Sequence, residues 1–203
     1  MAANEMNKMR SIILAAALAL VPALAACGAG SSEPPPLAGA TMGGAFSLVD
    51  QNGRRTSDRD FAGKYRLVYF GFSFCPDVCP VDLAVIGQGM RALEKSDAAL
   101  AARLVPIFIT VDPARDTPAE LKKFAAAFHP RLVALTGTEA EIAAAAKKYA
   151  IAYAPQPGAT KGSYTMDHTR IAVLYGPDGK PVAIVPHDEG PAKVADTLRR
   201  WMA

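Results

Sequence analysis

Three observations in the sequence predict an α/β domain. Two long runs rich in β-branched and aromatic residues, Tyr65 to Phe72 (YRLVYFGF) and Leu104 to Val111 (LVPIFITV), read as buried strands. Each is followed by a segment with helical apolar spacing. Two shorter apolar runs, Thr169 to Tyr175 and Pro181 to Val185, flank Gly176-Pro177-Asp178-Gly179, a turn cluster, and a final helix follows them. With a hairpin ahead, the order is β-α-β-α-(α)-β-β-α. Two parallel βαβ units followed by an antiparallel hairpin and a helix is a thioredoxin-like arrangement, here with an N-terminal β-hairpin extension.

Each element has its own local reason. Phe46 to Val49 and Arg54 to Thr56 flank Asn52-Gly53, a strong hairpin-turn signal. Leu83, Ile86, Met90 and Leu93 recur at helical spacing, so a helix is expected from Pro80 to about Glu94. Thr117-Pro118-Ala119-Glu120 is a capping box with proline at the first helical position, opening a helix to about Phe128. Thr138 with Glu141 repeats the device before an alanine-rich helix ending near Tyr149. Gly190-Pro191 opens the last helix, with Val194, Leu198 and Trp201 on one face. Ala152 to Ser163 reads as a long Gly/Pro-rich loop, expected to move and bring the residues after it into place.

The chain of 203 residues is 51% hydrophobic and 20% charged, enough apolar material for a packed core. Its formal charge is +3; without Glu5, Lys8 and Arg10 it is +2. No basic run accompanies it, which excludes nucleic acid as a partner on charge grounds. Residues 1–26 read as an export signal: Lys8 and Arg10 form a positive start, and Ser11 to Ala26 carries no charge. The stretch ends Leu24-Ala25-Ala26-Cys27, a bacterial lipobox pattern, so Cys27 is expected to carry lipid. Ordinary cleavage near Ala25 is the bland alternative; it would leave Cys27 a stray thiol. Residues 27–40, with Gly, Ser and a proline triplet, read as a tether, and residues 41–203 as the folded domain. The expected location is the cell envelope, lipid-anchored and facing the extracytoplasmic space, as a monomer.

Of three cysteines, Cys75 and Cys79 remain after the lipobox, four apart in Cys75-Pro76-Asp77-Val78-Cys79-Pro80. In an oxidising envelope such a pair is a disulfide, a redox couple or a metal clamp. Pro80 argues that CPDVC is a turn above a helix that starts at Pro80, whose N-terminus favours a nearby thiolate. Two soft sulfurs suit Cu(I), zinc or iron–sulfur chemistry. A structural zinc site wants four ligands, and the chain has no further cysteine to offer. Among the three histidines, His129 at a helix end has a structural reason to exist, and His187 before the last helix is expected to be solvent-exposed. His168 precedes a predicted strand whose start faces the cysteine turn. Topology alone leaves it open between metal ligand and structural residue.

The segments GFSFCPDVCP (71–80), VDPARDTP (111–118), TMDHTR (165–170) and YGPDGK (175–180) resemble the Sco/SenC family of copper chaperones, in the family's order. The similarity covers about Ala45 to Trp201. The resemblance implies a thioredoxin fold and copper, as Cu(I) or Cu(II), held by Cys75, Cys79 and His168. It implies a role in assembling the binuclear copper centre of cytochrome c oxidase, with subunit II or another copper protein as recipient. The family's commoner anchor is a transmembrane helix, so the lipobox is a variation in attachment. Asp167 either orients His168 or caps the strand, the latter being favoured. Asp112, Arg115 and Asp116 of VDPARDTP are expected to pair with one another and shape their loop.

A thiol–disulfide oxidoreductase using Cys75 and Cys79 is the alternative. Such motifs usually read C-x-x-C, and no tryptophan precedes Cys75. A peroxidase on the same fold would need a proline and a hydroxyl residue where Val68 and Phe72 stand.

Overall fold

A computed structural model describes residues 33–203. The export signal and Cys27 lie outside the described residues. A seven-stranded sheet is flanked by helices on both faces, and a separate two-stranded sheet lies beside it. The strands are β1 (Ser47–Asp50), β2 (Arg55–Ser57), β3 (Tyr65–Gly71), β4 (Leu104–Thr110), β5 (Val133–Thr136), β6 (Tyr153–Pro157), β7 (Tyr164–His168), β8 (Ala172–Tyr175) and β9 (Pro181–Val185). The helices are α1 (Val78–Ser96), α2 (Ala98–Ala101), α3 (Pro118–Phe128), α4 (Glu139–Lys148) and α5 (Pro191–Met202). The main sheet runs β2-β1-β5-β4-β3-β8-β9. β3, β4 and β5 are parallel, and β8 and β9 return antiparallel beside β3. This is the expected thioredoxin-like arrangement with its N-terminal hairpin.

Strand alternation explains why both faces are covered. On β3, Leu67 and Tyr69 join the cluster of Leu83, Ile86 and Met90 from α1 and Val194 and Leu198 from α5. Val68 and Phe70 join Ile142 and Ala145 of α4 on the other face. A central strand buried on both sides must be apolar throughout, as YRLVYF nearly is. α1 and α5 cross closely at Gly89, where an added Cβ would lie 2.5 Å from a Val194 methyl. Thr138 and Glu141 form the expected capping box, whereas at α3 only half of it is present: Thr117 accepts from the Glu120 N–H, and the Glu120 carboxylate pairs with Lys123.

Four expectations are corrected. The compact unit begins at Pro35 rather than residue 41, because Leu37 donates its N–H to Val182 O at 3.1 Å. β5, too short and mixed to read from periodicity, is the strand that joins the N-terminal hairpin to the sheet, through β1. The first half of the loop expected over 152–163 is β6, paired with β7 as a separate two-stranded sheet, and only 158–163 forms the turn between them. Three residues of β6 are Ala154, Pro155 and Pro157, poor strand formers, which hid it. Finally, α1 starts at Val78, so Cys79 lies within its first turn. Proline is tolerated there because the first N–H groups of a helix have no intrahelical acceptor.

Candidate metal centre

The parallel strands point their carboxyl ends at one edge, where such sheets collect their chemistry. β3 ends at Gly71, and the chain turns through Phe72 to Cys75 before entering α1. Cys79 is fully buried and Cys75 half-buried; both are free thiols. Gly71 makes room for the sulfur, since a Cβ there would lie 3.2 Å from Cys79 Sγ. The Cys79 N–H, left without a helical acceptor, donates to Cys75 Sγ at 3.4 Å. Burial, aided by the adjoining Cys75 thiol, pushes the Cys79 thiol up to about 12 despite a bond from the Phe72 N–H, so it is protonated at neutral pH.

His168, at the end of β7, brings Nε2 to 3.3 Å from Cys79 Sγ. Its Nδ1 faces the Thr169 carbonyl at 3.1 Å. A carbonyl only accepts, so Nδ1 carries the proton and Nε2 presents its lone pair to the Cys79 S–H. Burial holds His168 below the usual imidazole value, which keeps that lone pair available at pH 7. Thr169 O is thus the orienting partner; Asp167 is exposed and lies opposite Ala154 in the hairpin. The structure brings Cys79 and His168 into contact with Cys75 alongside. Among the described residues, no three His, Cys, Asp or Glu side chains already converge on one metal-sized point.

Two polar groups hold these parts in place. Asp116 is fully buried and accepts the Ser73 N–H at 3.0 Å, with further bonds from the Ser73 and Thr110 hydroxyls. It therefore ties the loop after β4 to the cysteine loop. Its carboxyl is raised by burial, which outweighs those bonds. Arg115 pairs with Asp112 and donates to Tyr164 O at 3.0 Å. Its guanidinium lies 3.8 Å from the Tyr164 ring centroid and 5.1 Å from that of Phe74. It bridges the β6–β7 hairpin and the cysteine loop. The loop-shaping role expected of Asp112 and Arg115 holds as an ion pair, whereas Asp116 faces the cysteine loop instead.

A second network went unforeseen. Asp82, 1% exposed on α1, accepts Tyr69 Oη at 2.7 Å, pairs with Arg170 through both oxygens and lies 3.2 Å from His187 Nε2. Burial works to raise this carboxyl, but the bonds from Arg170 and Tyr69 prevail and hold it low. His187 is buried, not exposed as expected, because this carboxylate and Val185 O receive its ring. The Tyr69 ring meets His168 edge-on, so the network lies directly beneath the site. The available signal was a charge at position 82, one residue from Leu83 on the apolar stripe. His129 caps α3, buried, with Nε2 3.4 Å from Glu94, the structural role expected of it.

Fold and site together define a thioredoxin-like domain that sets a dithiol against an imidazole at the edge of its sheet. The SCO1/SenC family model matches residues 35–203. The chain belongs to that family. The human mitochondrial SCO1 homolog is 40% identical over 139 residues, 68% of this chain and 46% of the relative. Mitochondrial SCO1 of Saccharomyces cerevisiae is 39% identical over 141 residues, 69% of this chain and 47% of the relative. This chain thus spans about half the length of these curated relatives. Bradyrhizobium japonicum ScoI, solved with copper bound, superposes with a TM-score of 0.71 at 40% identity, over 79% of this chain and 99% of that one. Arabidopsis thaliana ScoI, also with copper bound, gives 0.73 at 30% identity, over 78% and 97%.

Proposed function

We propose that this domain is a copper carrier that holds copper on Cys75, Cys79 and His168 and delivers it to another protein. Subunit II of cytochrome c oxidase is the recipient that the family resemblance implies. The observation that carries the reading is the 3.3 Å contact between Cys79 Sγ and a His168 nitrogen whose lone pair is directed by Thr169 O. The donor set fits the cargo: two thiols suit Cu(I), the imidazole suits Cu(II), and three ligands leave room for one from an acceptor. Cys75, half-buried beside Cys79, supplies the second thiol. The copper-bound relatives at 40% and 30% identity support the same cargo. Phe74 and Val81, 50% and 55% exposed, flank the cysteine segment and suit contact with a protein acceptor.

The anchoring belongs to the same proposal: lipid on Cys27, a tether leading to Pro35, and a monomeric domain outside the membrane. Anaerobic Cu(I) titration of the full chain against a competing chelator tests the site. One tightly held copper is expected, lost in Cys75→Ser and in Cys79→Ser and weakened in His168→Ala, while disulfide exchange survives His168→Ala. A parent that takes no copper yet reduces disulfides briskly overturns the carrier reading. Loss of membrane partition in Cys27→Ser checks the anchor separately.

A further inference from the structure

The end of the domain away from the cysteines carries a different chemistry. A groove of about 770 Å³ opens there, lined by Pro35, Ala38, Tyr65, Lys180, Val182 and Trp201 among others. Tyr65 is the first residue of β3 and Trp201 lies in the last turn of α5. Arg103 stacks over the Tyr65 ring at 5.2 Å, and Arg200 over Trp201 at 5.0 Å. Lys64 and Lys180 are exposed at the same end, against one groove carboxylate, Asp178, which lies 3.5 Å from Lys180 Nζ. Aromatic rings beside exposed basic side chains are the composition that settles at a membrane–water interface and meets anionic headgroups.

Where the chain enters the fold decides between occupants. Pro35 lines this groove, and Leu37 is pinned to Val182 O beside it. The preceding 34 residues therefore depart from here, and they include the uncharged stretch and Cys27. β3 advances ~3.3 Å per residue, which sets Tyr65 about 20 Å from Gly71, where the cysteine loop begins.

We propose that the face bearing Tyr65, Arg103, Lys180, Arg200 and Trp201 rests on an anionic membrane surface, so that the cysteine–histidine edge points away from it. This rests on the lipid-anchor reading of Cys27. Trp201 is the only tryptophan in the chain, so its emission reports this face alone.

The test uses the full chain, expressed in a bacterium, in phosphatidylglycerol-containing vesicles that carry a headgroup spin-label quencher. Cosedimentation reads the anchor, and Trp201 quenching reads the face. The expected result is a cosedimenting protein with Trp201 quenched, quenching being lost in phosphatidylcholine-only vesicles or at high salt. The triple variant Arg103→Glu, Lys180→Glu, Arg200→Glu should cosediment with Trp201 unquenched, its copper uptake unchanged. Cosedimentation with Trp201 unquenched in the parent overturns the proposal and leaves the anchor standing. Failure to cosediment overturns the anchor and this proposal with it. Trp201 already shielded from acrylamide without vesicles would give the groove to the chain's own leading segment or, with a dimer in sedimentation, to a second copy, and overturn it.

Discussion

Cys79 sits on a helix packed along one face of the main sheet, whereas His168 sits on a hairpin that shares no ladder with that sheet. The cysteine side is fixed by buried contacts: Asp116 to Ser73, Asp82 to Tyr69 and Arg170, and Gly71 against the sulfur. The histidine side shares the Asp82–Arg170 pair, two residues past His168, and is otherwise tied by Arg115 to Tyr164 and by Tyr164 Oη to Asp112 at 2.8 Å. β6 is exposed over four of its five residues, while β3 is buried over six of seven. Local opening costs least where buried contacts are few. If the site works as proposed, the thiols are its braced part and the exposed hairpin that carries the imidazole is where it would open first.

The largest expected effect comes from breaking the fixed side. Asp82→Ala leaves His187, Tyr69 and part of Arg170 without their acceptor. Arg170 is 42% exposed and reaches water, so the loss is about 2–4 kcal/mol of stability in urea unfolding. An unchanged urea midpoint would show that the network does not brace the cysteine helix. Arg115→Ala acts on the other side: copper affinity falls ~10–100-fold while the unfolding midpoint hardly moves. Arg115→Lys should not restore it, because the planar stack on Tyr164 is lost. Hydrogen exchange sharpens the contrast, with β6–β7 amides exchanging faster than β3–β4 amides and slowing on copper loading. Equal rates with and without copper would count against a mobile histidine arm.

Copper uptake is also expected to depend on pH. The Cys79 thiol, raised to about 12, must lose its proton to bind, so affinity rises about tenfold per pH unit for each proton released between pH 6 and 9. In the metal-free protein the sign reverses for stability. A thiol raised above its unfolded value near 9 stabilises the fold below that pH, and the contribution is lost as pH climbs toward 12. Flat copper affinity across the range would mean that Cys79 is not a ligand. The smallest effect lies far from the site. Arg55, bonded to Glu141 at 2.7 Å, lowers that carboxyl to about 2. The stability it gives is present above about pH 4.5 and lost as pH falls toward 2. Glu141→Gln should cost ~0.2–1 kcal/mol at pH 7 and nothing at pH 2, read from urea midpoints.

What could be read from the sequence divides along the same line. The central strands, α3 with its Thr117 cap and the C-terminal hairpin announce themselves through periodicity and turn chemistry that the tertiary structure does not override. The cysteine pair was legible because sulfur is rare and its spacing informative, whereas His168 stood out only through the family resemblance. The hairpin arm was not, because Pro155 and Pro157 signal a loop, and only pairing with β7 makes them a strand. The buried contacts of Asp82, Asp116 and His187 were hidden for a related reason. A polar side chain is placed inside by partners far along the chain, and no local pattern lists them.

The register of the main sheet has a consequence for how such a domain is put together. Arg66 to Tyr69 of β3 pair with Tyr175 to Ala172 of β8, with no rung passing through β6 or β7. Residues 153–168 are thus an insertion into a connection that the sheet already closes by itself. Without them every rung of the main sheet and both cysteines would remain, while the imidazole would go together with the Tyr164 contacts of Arg115 and Asp112. The dithiol and the imidazole thus belong to separable parts of the chain, one at the head of a helix packed on the main sheet and the other on an added arm.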